Sequence, residues 1–444
     1  MESAAATEHV TLAAEALVYG FPLVFDLQQV QRFTEKGMGS VRATPLNTFG
    51  HAPTLAGPDD TFVSINNDTV YSIANVDVSG GPVRLDVPAS HGRYYVLQFV
   101  DAWTNNFAYV GRRATGTEAG SFLLVDSEWD GEPPSDVRLI RFPTSIATIV
   151  GRWAVDGEAD MPAVRDLQDG LRLTPTATGR GLPQPDPAAA EDLRFFEQLR
   201  VWIQAFPPAS RDLAHQERFD CLGLFAADCP YTDPGSELAS QLRSGAHTAH
   251  QEMEAALKSG HSPTQNGWQL TYHAFDYNLD FFEIGALDED RWKLPDGPDR
   301  YLARAIAARA GLWGNHGYEA AYAMVYTAGD GTPLDGSKRY ELRFPTPPPC
   351  DAFWSVTMYD TPEFFLVANP IGRYSIGDRT RGVRTAADGS LTIHLQHDAP
   401  EDPELKANWL PTPAGRFRPI LRMYEPQDAV FNGSYQLPPI APKH

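Results

Sequence analysis

Mainly β with helical segments is the fold class that the sequence predicts, and three changes of texture along the chain predict it. From Asn47 to about Ile149, short runs of β-branched and aromatic residues alternate with glycine- and proline-containing turns. From about Asp160 to Leu312 helical spacing dominates, and from about Glu319 to the end the β texture returns. At 444 residues the chain exceeds one ordinary core, so more than one domain is expected. The division is an N-terminal helical segment 1–45, a β domain 46–158, a helical region 159–317 and a second β domain 318–444.

Residues from about Ala6 to Phe33 carry a wide apolar face through Leu12, Ala16, Tyr19, Leu23, Val24 and Leu27, which predicts a helix. Pro22 is expected to kink or split it. In the first β domain, Thr69–Ile73 and Tyr94–Val100 are the clearest strands, separated by turns such as Ser79-Gly80-Gly81-Pro82 and His91-Gly92-Arg93. Asp160-Met161-Pro162 reads as a helix start with an early proline. Further helices are expected near Glu191–Phe206, Gly235–Leu257 and Arg300–Leu312, with a loop over Thr174–Ala188. The second β domain offers Tyr322–Tyr326, Arg339–Phe344, Phe353–Tyr359, Leu391–Gln396 and Arg416–Tyr424, with hairpin turns expected at Gly329-Asp330-Gly331 and Ala387-Asp388-Gly389-Ser390. The two β domains echo each other: in both Tyr95…Asp101 and Trp354…Asp360 an aromatic precedes an aspartate by six positions at a strand end.

The formal net charge is −21 with no concentrated Lys/Arg footprint, which disfavours nucleic acid and anionic membrane surfaces as partners. No continuous apolar run approaches the roughly 18 residues of a membrane span. The N-terminus lacks a basic n-region and an apolar h-region, so it does not read as a signal peptide and a cytoplasmic location is expected. Cys221, Cys229 and Cys350 form no disulfide or zinc framework and read as buried free thiols, with a Cys221–Cys229 bridge left open. His247 and His250 share a helix face but lack a further ligand, so no metal is assigned. Gly-x-Gly-x-x-Gly after a strand, the phosphate loop and Gly-x-Ser-x-Gly are all absent, and no cofactor is assigned.

Several motifs are long enough to be specific. Asn66-Asn67-Asp68-Thr69-Val70-Tyr71-Ser72, Gly92-Arg93-Tyr94-Tyr95, Asp101-Ala102-Trp103-Thr104-Asn105 and Gly151-Arg152 lie in the first half. Arg339-Tyr340, Phe353 through Asp360, Asn369-Pro370 through Asp378-Arg379, and Asn408-Trp409-Leu410-Pro411 lie in the second. On these the chain resembles the bacterial and viral proteins that pair domains of unknown function 1254 and 1214. The resemblance implies an N-terminal Ig-like β-sandwich, a helical middle and a C-terminal jelly-roll-like sandwich, and it implies no established activity.

Three constellations are candidates for chemistry. The first is Asn66, Asn67, Asp68 and Tyr71, which read equally as turn chemistry or as a site. The second is Gln98, Asp101, Trp103, Thr104, Asn105 and Asn106, where Asp101 ends a strand and suits a base, a ligand group or a cap. The third is Arg373, Tyr374, Asp378 and Arg379 with Asn408 and Trp409. It reads either as an internal Arg–Asp network or as an anion clamp with an aromatic wall. Lowering a tyrosine pKa from about 10 to 7 needs roughly 4 kcal/mol, which a nearby arginine in a dry site largely supplies.

Both β domains are expected to contribute to one site. Tyr71, Asp101 and Tyr374 are its catalytic candidates; Asn66, Asp68, Asn105, Arg152, Arg373, Asp378 and Trp409 are its substrate-binding candidates. The expected function is a cofactor-independent enzyme acting on a small organic, anionic substrate by acid–base chemistry, as a lyase, hydrolase, isomerase or cyclase. A carbohydrate- or metabolite-binding protein and a structural oligomer are the alternatives, and the sequence leaves self-association into a homo-oligomer open.

Overall fold

Strand burial in the computed structural model, which describes residues 2–60, 64–259 and 262–443, departs from ordinary alternation. A strand in a two-layer sandwich buries every second side chain. Here the strands Tyr95–Asp101 and Ile146–Ala154 are buried at every position, and Phe417–Pro426 at every position but its last. Their sheets are covered on both faces.

The N-terminal half contains β1 (Gly50–His51), β2 (Thr69–Asp77), β3 (Val83–Val87), β4 (Tyr95–Asp101), β5 (Asn106–Gly111), β6 (Gly120–Asp126), β7 (Arg138–Phe142), β8 (Ile146–Ala154) and β9 (Arg172–Pro175). They form a five-stranded sheet β1-β2-β8-β4-β5 and a four-stranded sheet β7-β6-β3-β9. Val70, Ala74, Leu97, Phe99, Leu85, Phe122 and Ile140 meet between the two sheets in one core. Through β9 this sandwich extends past the boundary expected at residue 158.

The C-terminal half contains β10 (Thr264–Gln265), β11 (Trp268–Leu270), β12 (Ala320–Val325), β13 (Arg339–Phe344), β14 (Cys350–Asp360), β15 (Ser375–Gly377), β16 (Leu391–Gln396), β17 (Trp409–Pro411), β18 (Phe417–Pro426) and β19 (Ile440–Lys443). The sheets are β10-β11-β12-β18-β14-β15 and β17-β16-β13-β19. Trp354, Val356, Leu421, Met423, Leu342 and Ile393 fill the space between them. The strands β10 and β11 come from the region read as helical. The stretches 329–331 and 387–390 are turns, but neither closes a hairpin between neighbouring strands.

Each sandwich thus has a second, outer sheet face, and these faces are turned toward each other. Tyr94, Val96, Tyr109 and Ala154 from one side form an apolar cluster with Ala320, Phe353 and Tyr424 from the other. Tyr94 packs edge-on to Phe353 and Tyr424, with ring centroids 5.5 and 5.4 Å away.

The helices lie to one side. The N-terminal helix Glu2–Lys36 runs through Pro22 as one element, so the expected split does not occur. Burial holds it on both sides of the proline: Leu17, Leu23, Val24 and Leu27 are essentially inaccessible. It shares a core with helices Arg194–Ala205, Glu237–Ser259 and Asp299–Gly311. Within Thr7–Lys36 an 18-residue window of mean hydropathy 1.5 is long and apolar enough to cross a membrane, contrary to the sequence expectation. Within the fold 72% of that window is buried, as befits a core helix. All three cysteines are free; Cys221 is exposed rather than buried, and Cys229 and Cys350 are half-buried.

Helix Glu237–Ser259 reaches the N-terminal helix through Gly245. A Cβ there would lie 2.5 Å from the Ala13 Cβ and 2.8 Å from the Ala14 nitrogen. Alanine gains about 1 kcal/mol in helix propensity. Overpacking against backbone that has no room to yield costs about 1–3 kcal/mol. Gly245→Ala is therefore expected to lower the thermal midpoint; an unchanged or raised midpoint would show that the two helices separate freely.

Candidate functional site

Between the two sandwiches runs a strap. The residues leading into β2, Ser64 to Asp68, each bond to the C-terminal sheet or its loops. The Ser64 nitrogen donates to the Phe364 carbonyl at 2.8 Å, and its own carbonyl accepts from Arg422 Nη2 at 2.8 Å. The Ser64 hydroxyl meets Arg418 Nη2. The Tyr359 hydroxyl donates to the Ile65 carbonyl at 2.6 Å, and Asn66 Nδ2 donates to the Tyr424 hydroxyl at 2.6 Å. Ser375 Oγ reaches Asn67 Oδ1 at 3.4 Å. Asp68 accepts from the Tyr424 hydroxyl at 2.8 Å and from Ser355 Oγ, while its carbonyl accepts from Arg379 Nη2 at 3.2 Å. The Asp68 carboxylate thus joins the halves, while Asn66 divides its bonds between Tyr424 across the interface and its own neighbours Asp68 and Thr69.

Cross-strand register explains why these partners converge. Tyr322, Arg422 and Ser355 are neighbours across β12, β18 and β14, so they share the outer face. Tyr71 and Arg152 are neighbours across β2 and β8 on the facing sheet. Arg422 is buried with no carboxylate within 4.0 Å among the described residues, and Asp68 is its nearest strong acidic influence. Burial works against its charge, but Tyr359, Tyr424 and Asp68 outweigh this and raise its pKa. Tyr424 is pushed well above the usual phenol range by burial and then by Asp68, so it remains a hydrogen-bond donor.

Arg152 stands apart from this strap. Its guanidinium donates to Gln98 Oε1 at 2.7 Å, to Asn315 Oδ1 at 3.4 Å and to the Trp313 carbonyl at 2.7 Å, all neutral acceptors. It sits 5.5 Å from the centre of the Tyr71 ring. Burial opposes its charge; Tyr71, Tyr322, Tyr424 and Tyr94, its strongest electrostatic neighbours, more than offset that. Among the described residues no carboxylate lies within ion-pair distance of it. Neither the Tyr71 nor the Tyr322 hydroxyl makes a hydrogen bond that satisfies distance and angle together, although the Asn315 amide stands close enough to Tyr322 to favour its ionised form. Burial, the larger influence, still raises the Tyr322 pKa. Asn315 is buried and its Nδ2 has no partner. Tyr71 and Tyr322 are only half-buried, so solvent reaches the layer at these two rings. The result is a cation, Arg152, with two phenol hydroxyls and the Asn315 Nδ2 beside it, each with a hydrogen to give.

A third polar cluster closes the same layer at its edge. Arg113 Nε pairs with Glu319 at 2.5 Å, the Tyr94 hydroxyl donates to Glu319 at 2.9 Å, and Arg112 pairs with Glu425. Burial and then Glu319 push the Glu425 carboxyl up to about 7.

The second candidate constellation lies elsewhere, under the helices. Asp101 is fully buried at the end of β4 and accepts from the Asn105 nitrogen and from Asn105 Nδ2, both at 2.8 Å. Burial raises it to about 6, against the pull of Arg304. Arg304 itself meets Asn105 Oδ1. The surface hollow that Asn105 and Arg304 help to line has no room for even one water. Asp101 thus acts as a turn cap, and so does its counterpart in the echo: Asp360 accepts from the Phe365 nitrogen at 2.7 Å.

The third constellation is not brought to the Arg152 layer either, and its expected anion clamp is corrected. Arg373 donates to the carbonyls of Ala407 and Trp409 at 3.0 and 2.8 Å and does not pair with Asp378. Asp378 is exposed and accepts weakly from the Trp354 nitrogen at 3.3 Å. Trp409 is fully buried, with its indole donating to the Gln396 carbonyl at 2.8 Å, so it offers no aromatic wall. Tyr374 and Arg373 border a hollow with room for about one water. Of this loop Ser375 touches the strap at Asn67, and Arg379 reaches the inter-sandwich layer, lying 3.5 Å over the Phe353 ring. His247 and His250 are exposed, and among the described residues no three His, Cys, Asp or Glu side chains could hold a metal ion together.

Sequence reasoning passed over Tyr322, Asn315, Ser355, Arg422 and Tyr424. A signal existed for Arg422: an arginine between Leu421 and Met423 in an apolar strand demands a buried partner.

Residues 46–175 match the family described as "Protein of unknown function (DUF1254)", and residues 319–428 match "Protein of unknown function (DUF1214)". No curated protein matches the chain. Among solved structures it is similar to the VPA0106 protein from Vibrio parahaemolyticus, at 23% identity and a TM-score of 0.74, over 98% of this chain and 100% of that one. An uncharacterised protein from Burkholderia cenocepacia aligns at 13% identity and a TM-score of 0.45, over 99% of this chain and 95% of that one. The Vibrio structure shows that the fold is shared from end to end.

Two outcomes follow from the polar layer. Asp68→Ala strands two buried hydroxyl donors, and is expected to cost about 1–3 kcal/mol for each of them. A double-mutant cycle with Tyr424→Phe is expected to show a coupling of about 0.5–3 kcal/mol, and simple additivity would deny the strap. For Glu425, the folded protein retains a proton between about pH 4.5 and 7 that the unfolded chain has released. Its contribution therefore falls as pH rises through that window. Thermal melts of the wild type and Glu425→Gln are expected to diverge there, with the variant gaining relative stability as pH rises; parallel curves would contradict the assignment.

Proposed function

Because the chain belongs to the family that joins a domain of unknown function 1254 to one of unknown function 1214, and neither description carries a reaction, we propose a function from the Arg152 layer itself. The protein is an enzyme that binds a small organic anion between its two sandwiches and moves a proton on it without a cofactor. The observation that carries this reading is Arg152, a buried cation that among the described residues has no carboxylate partner, with the Tyr71 and Tyr322 hydroxyls and Asn315 Nδ2 beside it, in a chain of net charge −21. Burying such a cation unpaired is costly, and an anion offsets the cost. A buried cation with hydroxyl and amide donors beside it is complementary to an oxyanion, whether a carboxylate in the ground state or an enolate in the transition state. Tyr71, beside Arg152 and half-open to solvent, is assigned the proton transfer: as the phenolate it takes the proton from carbon and returns one that has exchanged with solvent, while Tyr322 and Asn315 hold the oxygen.

A non-catalytic binder is the second reading. It is favoured by one feature: the strongest electrostatic neighbours of Arg152 are all phenols, and Asp68 is engaged by Ser355 and Tyr424.

A panel of small carboxylates and 2-oxo acids, followed by thermal shift and by NMR in D2O, tests both. The wild type is expected to be stabilised by at least one member and to exchange a carbon-bound proton for deuterium. Arg152→Gln is expected to lose the stabilisation. Tyr71→Phe is expected to keep binding within a few-fold while exchange falls about 10²–10⁴-fold. Binding without exchange selects the binder, and stabilisation by no member of the panel refutes the anion site.

A further inference from the structure

The Arg152 layer continues into a separate apolar cluster, two of whose flanking residues, Met38 and Tyr71, also pack on the N-terminal sandwich core. Val100, Val150 and Trp313 form a small separate cluster, with Met38, Tyr71 and Leu312 packed against it and only partly buried. Tyr71 belongs to both environments: its ring borders this patch and faces the Arg152 guanidinium. Trp313 does the same, since its carbonyl receives Arg152 Nη2 while its side chain lies in the patch. The backbone at Trp313 is in the left-handed region, with φ of 64°, a conformation unusual for a large aromatic residue.

Polar groups on this side are already engaged. The Trp313 indole donates to Asp26 at 2.7 Å, and Gln98 Nε2 donates to Asn106 Oδ1 at 2.7 Å and to the Gly314 carbonyl at 2.8 Å. A sugar needs several unengaged donors and acceptors around its hydroxyls. This side offers an apolar wall instead, with the unpaired Asn315 Nδ2 and the cation at one end.

Resting on the oxyanion reading above, we propose that the ligand is a carboxylate with an apolar tail. The carboxylate is received by Arg152, Tyr322 and Asn315, with Tyr71 beside it. The tail lies against Met38, Leu312 and the Tyr71 ring, the partly exposed members of the cluster, with Trp313 and Val150 buried beneath them. Met38 suits that edge, because an unbranched thioether adapts to tails of different shape. A hydrophilic sugar acid satisfies the cation but leaves its hydroxyls facing this wall.

The experiment is a chain-length series. Straight-chain carboxylates from acetate to octanoate, gluconate, and 1-octanol as a tail without charge are titrated into the full-length protein by calorimetry. Affinity is expected to rise about three- to fourfold per added methylene, which is the transfer of one CH₂ from water to an apolar wall. Octanol and gluconate are expected to bind at least tenfold more weakly than octanoate, and Met38→Gln and Leu312→Gln to flatten the series. Carboxylates that bind with no dependence on length, or gluconate as the tightest ligand, would overturn the tail while leaving the oxyanion site standing. If no carboxylate binds, both readings fall together. Should either variant fold poorly, the wild-type series alone decides between these outcomes.

Discussion

The docking of Ser64 to Asp68 onto the face of β14 and β18 is the interaction on which the rest of the arrangement depends. Two sandwiches could share a chain and still move as independent bodies, since a modest interface between domains leaves relative motion as the default. Here five consecutive residues of one half are bonded by side chains and backbone of the other. Burial of β4, β8 and β18 on both faces follows from it, because the outer sheets are held against each other rather than against water. The Arg113–Glu319 and Arg112–Glu425 pairs secure the same interface at its edge.

A polar layer is a costly way to join two sheets. Apolar replacements of similar volume often match or exceed a buried ion pair in stability, whereas removing one partner of such a pair is strongly destabilising. The layer therefore gives register rather than raw stability. Asp68 fits one place on the opposing sheet, where Tyr424 and Ser355 both point at it, and a slip by one residue would turn both of those side chains to the other face. That fixed register sets Tyr71 and Arg152 opposite Tyr322.

Local structure was legible where period and turn chemistry decide it. The strands Arg339–Phe344 and Leu391–Gln396 lie where alternation placed them, and the long helices lie within a few residues of their expected bounds. Pro22 misled because tertiary burial outweighs one lost helical hydrogen bond. The motif around Asn66 and Asp68 was noticed, but its role was not readable, because its partners lie 287 and 358 positions away in sequence. Arg373 and Asp378 drew attention as an Arg-rich loop between glycines, a texture equally suited to holding a loop by carbonyl bonds, which is what Arg373 does. Tyr322 and Asn315 carry no motif at all; only the register of β12 against β18 and the loop before it bring them to Arg152.

The contrast between two arginines gives the layer its direction. Arg422 and Arg152 are both buried, and both draw their favourable electrostatics from surrounding tyrosines. Arg422 also has Asp68 among its influences and is tied to the strap through the Ser64 carbonyl. Arg152 has only neutral oxygen acceptors from Gln98, Asn315 and Trp313. Arg200 is bonded to the carboxylate of Glu197 at 2.7 and 2.8 Å, whereas Arg373, like Arg152, is held by neutral oxygens alone but lies at a loop rather than beside two phenols and an amide. Neutral acceptors orient a guanidinium without neutralising it, so they leave its field available to whatever enters beside it. The same fixed register that satisfies Asp68 thus holds a second cation in place and unneutralised, next to two phenols and an amide with hydrogens to give. Rigid donors of this kind need no rearrangement when charge develops in front of them, which is the physical condition for an oxyanion site.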